Sequence, residues 1–325
     1  MKKVLVTGAA GFIASEVTRQ LLKAGVEVVG VDNMNDYYDP RLKEHRLELL
    51  RRSFDFEFQQ VDIEDFNGLS KLFEKHRFDA VVNLAARAGV RYSLVNPNIY
   101  FTTNTMGTLN LLNLMRDHKV TKIVLASTSS LYAGEPLPFS EEAPVNRPIS
   151  PYAASKKAAE QICYTYNYHY GIDCTVVRYF TVYGPAGRPD MSIFRFIKWI
   201  DQGQPLIVYG DGEQSRDFTY VEDIARGTIS AIKPVGYEII NLGGGKSPVT
   251  LNQVIAWIEE GLGKKARVDR RPLQKADLTE TQADIRKADR LLNWTPEIDF
   301  RAGLQRSIDW YLENRNFAST LSTGD

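Results

Sequence analysis

The sequence predicts an α/β protein, a doubly wound parallel sheet of about seven strands followed by a smaller mixed lobe. Three observations predict it. Short β-branched runs alternate with helix-length amphipathic stretches through most of the 325 residues. The runs are almost continuously apolar, as strands covered on both faces must be. The first of them, KVLVT (3–7), runs straight into the glycine-bearing turn TGAAGFIASE.

The strands expected after KVLVT are EVVGVD (27–32), FEFQQVD (56–62), DAVVNLA (79–85), KIVLAS (122–127), CTVVRYF (174–180) and EIINLG (238–243). SEVTRQLLKAG (15–25) shows the intervening helical pattern, apolar along one face and closed by a glycine. After residue 182 the alternation loosens, and GPAGRPD (184–190) starts an excursion into a second lobe. The expected division is a dinucleotide-binding domain over 1–182, rejoined around 216–245, and a second lobe over 183–325. The closing ASTLSTGD is expected to fray.

Bulk composition excludes several functions. Forty basic and forty acidic residues balance, which argues against a nucleic-acid or anionic-membrane partner. Cys163 and Cys174 make no disulfide framework, and four scattered histidines offer no metal-ligand spacing. The opening apolar run is too short for a signal peptide or a membrane span, so a soluble cytoplasmic protein is expected.

Gly8 and Gly11 stand where strand turns into helix, which lets backbone approach a pyrophosphate at the helix N-terminus beside Phe12 and Ile13. Ala14 occupies the third small position. Asp32 ends the second strand about 20 residues on, the offset of a carboxylate that binds both ribose hydroxyls and repels a 2′-phosphate. NAD is therefore expected over NADP, with Asn33 beside the same site. Asp62 and Ile63 close the third strand, where the carboxylate could read an adenine, and Leu84, Ala85 and Ala86 could wall the cofactor.

The chemistry is expected from Tyr152 and Lys156, four apart and so on one face of a helix. A tyrosine with a pKa of about 10 is a poor base, but a neighbouring ammonium and a nicotinamide cation favour its phenolate. Thr128, on the loop after the fifth strand, can hydrogen-bond the same substrate hydroxyl. It begins the run Thr128-Ser129-Ser130, itself preceded by Ser127, for which the sequence suggests no role.

Gly8-x-x-Gly11, Thr128, Tyr152 and Lys156 together resemble the extended short-chain dehydrogenase/reductase superfamily, in its nucleotide-sugar branch. The resemblance runs from residue 3 to about 310. RDFTYVEDIA (216–225) and KADLTETQADIRKADRLLNWTP (275–296) resemble that branch's second-lobe signatures, implying that Arg216 contacts the nucleotide diphosphate and Asp277 the nucleotide ribose. DNMNDYYDPRLKEHRL (32–47), LAARAGVRYSL (84–94) and RYFTVYGPAGRPDM (178–191) are similar to UDP-glucuronate 4-epimerases. That likeness implies a UDP-sugar substrate, Arg91 among its contacts, and a homodimer built through the helices bearing Tyr152 and Lys156. It also implies a reaction in which Tyr152 deprotonates the 4-hydroxyl while hydride leaves for NAD and returns to the other face of a 4-keto sugar, giving UDP-galacturonate. Arg87 stands where a glutamine is common, and LYAG (131–134) replaces a more usual VYG.

A 4-keto glucuronate is a β-keto acid, which loses carbon dioxide when the breaking bond lies perpendicular to the carbonyl plane. Neutral hydroxyls can hold the carboxylate out of that alignment, each bond to the charged acceptor contributing about 1.5–3 kcal/mol. Ser129, Ser130 and Thr181 are the residues expected to do so. Arg188 is expected either to join them or to reach the diphosphate. The related decarboxylases resemble Thr-Ser-Glu at 128–130 and the dehydratases Thr-Asp-Glu, whereas this chain has serine at 130. The alternative readings are a 4-epimerase of neutral UDP-sugars, a decarboxylase and a catalytically silent NAD-binding scaffold; intact Tyr152 and Lys156 oppose the last.

Overall fold

The computed structural model describes residues 1–246, 248–272 and 278–324. In chain order, β1 (Lys3–Thr7), α1 (Phe12–Lys23), β2 (Glu27–Asp32), α2 (Pro40–Ser53), β3 (Glu57–Gln60), α3 (Phe66–Lys75) and β4 (Ala80–Asn83) form the first half of the sheet domain. There follow α4 (Val90–Val95), α5 (Asn98–Tyr100), a wide π-wound segment Phe101–Met106, α6 (Gly107–Asp117), β5 (Lys122–Thr128), a single 3₁₀ turn Ser129–Tyr132, α7 (Pro151–Tyr170) and β6 (Asp173–Tyr179). The later chain gives β7 (Thr181–Tyr183), α8 (Ser192–Asp201), β8 (Pro205–Tyr209), β9 (Ser215–Arg216), β10 (Phe218–Tyr220), α9 (Val221–Ser230) and β11 (Tyr237–Leu242). It closes with β12 (Val249–Thr250), α10 (Leu251–Leu262), β13 (Arg267–Arg271), α11 (Arg286–Leu292), α12 (Phe300–Glu313) and α13 (Arg315–Ala318).

Seven strands pair in the order β11-β6-β5-β4-β1-β2-β3, all parallel. The chain reverses direction across the sheet between β1 and β4, the place where such sheets open a crevice beyond their strand ends. Alternate residues serve opposite faces. Val4 and Val6 join the core under α1 and α9, and Leu5 the core under α3, α6 and α7. A third core unites α8, β8, α10 and α12 through Phe194, Ile197, Leu206, Val254 and Ile308. The expected strands are all present, though β3 and β4 end earlier than their apolar runs, because Val61–Asp62 and Leu84–Ala85 leave the ladder for the crevice.

Two features tie the lobes. Arg46 of α2 is buried and donates to the carbonyls of Ala10 and Ala186, joining the glycine turn to the GPAGRPD excursion. The C-terminal segment does not fray over its described residues. Leu321 is fully buried, Lys198 donates to its carbonyl, Arg41 to that of Thr320, and Asp39 accepts the Ser322 amide. The small polar residues of this segment give no sign of the anchors that α2 and α8 supply. No helix among the described residues is long and apolar enough to cross a membrane, and none of their His, Cys, Asp and Glu side chains cluster as a metal site.

Candidate active site

A continuous cleft of about 1390 Å³ runs along the strand ends between the sheet and the second lobe. Its floor begins at the turn after β1. Gly8 has φ +69°, and a Cβ there would sit 2.9 Å from the backbone of Ala85; one on Gly11 would meet the Gly8 carbonyl at 2.8 Å. Only glycine lets these segments approach so closely, and the result is a backbone cradle at the N-terminus of α1. Phe12 and Ile13 line it, while Ala14 is buried against the sheet, so the methyl is accommodated.

Asp32 ends β2 inside the cleft, its Oδ1 accepting from the Met34 amide at 2.8 Å and from Lys43 Nζ at 3.2 Å. Asn33 donates to Asp62 at 2.7 Å, which joins the ends of β2 and β3. Ile63 lies beside Asp62, and Leu84, Ala85 and Ala86 form the adjoining wall, with Thr7 Oγ1 accepting the amides of Leu84 and Ala85. Cradle, terminal carboxylate and apolar wall fit a dinucleotide lying across the β1–β4 crevice. A carboxylate at this strand end can accept hydrogen bonds from a ribose diol.

The reactive end is set by β5 and α7. Ser150 caps α7 through the Ala153 amide and Pro151 occupies its first turn, so Tyr152 stands at the positive end of a 20-residue helix. One turn on, buried Lys156 donates to the Ala126 carbonyl at 2.9 Å. Thr128 Oγ1 accepts the Ser130 amide at 3.1 Å, which leaves its own proton to donate into the cleft. Burial raises the Tyr152 phenol above its ordinary value, while the Thr128 hydroxyl and the Arg188 charge oppose it. Burial also pushes Lys156 down to about 8 against the pull of Glu160, so the ammonium remains the main form at neutrality but is lost only a little above it.

Ser129, Ser130 and Thr181 line the same cleft as Tyr152. Arg188 stacks over the rings of Tyr37 and Tyr38 and pairs with Asp190 at 2.6 Å. Although burial works against its charge, Asp190 holds the guanidinium firmly protonated. Farther along, Arg91 lies 4.3 Å over the ring of Tyr209, and Arg216 donates to the Ser215 carbonyl; both line the same cleft, as does Arg271. Asp277 lies outside the described residues.

Sequence reasoning missed several groups. Lys43 sits on a helix that reads as an ordinary charged surface, yet is buried against Asp32. Tyr37 donates to the Ala88 carbonyl and carries Arg188 on its ring. Asn104, in the π-wound segment, clamps both backbone groups of Arg87 and donates to Ser155 Oγ on α7. A π-wound turn often marks a functional site, but TTNTMG carries no periodicity that announces one.

Residues 4–243 match the NAD dependent epimerase/dehydratase family. A UDP-glucuronate 4-epimerase of Thermodesulfobacterium geofontis is 58% identical over 310 residues, covering 95% of this chain and 96% of that one. Among solved structures, UDP-glucuronic acid 4-epimerase of Bacillus cereus, in complex with UDP-glucuronic acid and NAD, superposes with a TM-score of 0.89 at 37% identity, covering 96% and 99% of the two chains. A UDP-glucose 4-epimerase of Thermotoga maritima with UDP-glucose gives 0.88 at 32% identity over 96% and 99%. This chain is a member of the NAD dependent epimerase/dehydratase family.

Proposed function

We propose that the protein is an NAD-dependent UDP-glucuronate 4-epimerase, producing UDP-galacturonate. The observation that carries the reading is the meeting of Tyr152, Lys156 and Thr128 with three further neutral hydroxyls, Ser129, Ser130 and Thr181, in one cleft that has serine rather than an acid at 130. The 58% likeness to a UDP-glucuronate 4-epimerase supports it. When bound, NAD supplies a reversible acceptor for the hydride of sugar C4.

The Tyr152 phenolate takes the proton of the sugar 4-hydroxyl and later returns it, stabilised by the helix terminus and by Lys156. Thr128 donates to the same sugar oxygen and fixes its direction. Ser129, Ser130 and Thr181 hold the carboxylate out of line with the transient ketone's π system, so that the carbon–carbon bond survives until the ring has turned over. Arg91, Arg188 and Arg216 are proposed for the nucleotide diphosphate, and Asp277 for its ribose. Gly8, Gly11, Phe12, Ile13, Asp32, Asn33, Asp62, Ile63, Leu84, Ala85 and Ala86 hold the cofactor over the 1–182 domain, and the 183–325 lobe holds most of the nucleotide sugar.

We also propose a cytoplasmic homodimer. Tyr164 and Tyr168, one turn apart on α7, are exposed, as are Phe101 and Met106 on the π-wound segment that packs against α7, and a second copy would cover these side chains. A sedimentation mass of two chains is expected, and one chain would refute the dimer. Buried, unbridged Cys163 and Cys174 suit a reducing compartment. The activity is tested by giving the purified protein UDP-glucuronate and NAD⁺ and following the sugar by NMR. UDP-galacturonate is expected; a UDP-pentose with released carbon dioxide, or turnover of UDP-glucose only, would overturn the reading.

A further inference from the structure

One row of side chains beneath the reacting groups is polar where the sheet should be apolar. Ser127 on β5, Arg178 on β6 and Asn241 on β11 are direct register partners across three adjacent strands. Ser127 shares its face with Ile123 and Leu125, and Arg178 shares its face with Cys174 and Val176, all packed toward α7. Above the row sits Glu160, fully buried and one helical turn beyond Lys156.

The Glu160 carboxylate accepts both forks of Arg178, at 2.9 and 2.8 Å, and the Ser127 hydroxyl at 2.6 Å. Arg178 also donates to the Tyr132 hydroxyl at 2.9 Å and lies over that ring, and Tyr132 donates to Asn241 at 2.7 Å. Asn241 in turn donates to the Phe139 carbonyl. The network therefore reaches from α7 through three strands to the end of the 3₁₀ turn that carries Ser129 and Ser130. A buried ion pair adds little stability over apolar packing, so its presence calls for a positional reason.

We propose that Glu160 is a positioning residue of the active site, with Arg178 and Ser127 as its anchors, fixing Tyr152 and Lys156 on α7 against the Thr128–Ser130 turn. Two successive ties set that spacing: Lys156 to the Ala126 carbonyl, and Glu160 to Ser127 on the next residue of the same strand. The carboxylate's charge also favours the Lys156 ammonium. The other titratable groups around it are Lys157 and Cys163 on α7, Arg178 and Cys174 on β6, Tyr132 on the turn and Tyr237 on β11, whose hydroxyl donates to the Glu160 carbonyl. This gives Ser127 a role and deepens the epimerase reading, on which it rests for what the positioned groups do.

The test compares Glu160→Gln, which keeps shape and one acceptor, with Ser127→Ala, which leaves the ion pair whole. Both are read in NAD-loaded protein by kcat and KM for UDP-glucuronate and by NMR titration of isotope-labelled Lys156. Ser127→Ala should lower kcat severalfold and Glu160→Gln by roughly tenfold or more, about one lost charged hydrogen bond, with KM within about threefold. In Glu160→Gln the Lys156 titration should also move to lower pH. Variants that change only the melting temperature, with kcat and the Lys156 titration as in wild type, would overturn the proposal. Because the lysine titration needs no sugar, a wild type without turnover would strike the epimerase reading and leave this one to be decided by Lys156.

Discussion

The two banks of the cleft are built on different plans. The cofactor bank, as proposed, comes from the ends of β1, β2, β3 and β4, consecutive along the chain, and its Asp32 is paired with a cation, Lys43. The sugar bank, as proposed, is stitched from β7, β9, β10, Leu278, Thr281 and the C-terminal segment. Between its lining residues Arg216 and Phe218, buried Asp217 is held by backbone amides, those of Ala283 at 2.7 Å and Gly245 at 3.2 Å. A local plan repeats known turn chemistry, whereas a stitched plan depends on tertiary contacts and on the charge state of its clasp. The chemistry sits between the two, on β5 and α7.

The largest expected effect separates the banks from that boundary. Tyr152→Phe removes the group that moves the proton and touches neither the glycine cradle nor Asp32. Turnover of UDP-glucuronate should fall by about 10²–10⁴-fold. Bound NAD should remain, as read by its absorbance after gel filtration. A variant that lost turnover and cofactor together would show that the reactive end also builds the cofactor bank, and the comparison would fail there.

A smaller effect is expected on the sugar bank alone. Ser130→Ala and Thr181→Ala each remove one neutral donor proposed for the carboxylate, worth about 1.5–3 kcal/mol, or roughly ten- to a hundredfold in affinity for UDP-glucuronate. The proportion of decarboxylated product, measured as UDP-pentose by chromatography, should rise as the restraint weakens. Affinity and by-product both unchanged would remove these residues from the carboxylate site. Loss of NAD affinity instead would mean that the banks are not separable at the 3₁₀ turn.

This contrast also explains what could be read from the sequence. The cofactor bank was legible because its signals are local: a glycine turn after a strand, a carboxylate at the next strand's end, apolar walls at fixed offsets. Tyr152 and Lys156 were legible because four residues make one helical turn. Lys43, Tyr37 and Asn104 were not, since each acquires its position from a segment far away or from a π-wound turn without a pattern. Glu160 carries no local signal on its helix, and the strand register that aligns Ser127 with Arg178 reveals its partners. The docked C-terminal segment was misread for the same reason, its polar composition saying nothing of the α2 and α8 groups that receive it.

The last prediction concerns the clasp of the sugar bank, and here the effect on turnover should be smallest. Burial raises the Asp217 carboxyl from its ordinary value to about 6, and the amide donors only partly offset it. A carboxyl whose folded-state value lies above its unfolded one contributes stability that is full below about 4 and is lost as pH rises through about 6. The folded protein thus binds a proton at Asp217 before the unfolded chain does, opposite to the behaviour of salt-bridged acids. Asp217→Asn abolishes this titration while keeping a carbonyl oxygen for the amides of Ala283 and Gly245. Between pH 7 and pH 4, the urea stability of the wild type should therefore gain on that of the variant, by on the order of 2–3 kcal/mol. A difference that stays flat over this range would show that Asp217 titrates as an ordinary carboxylate, and would remove the charge state of its clasp from the contrast between the banks.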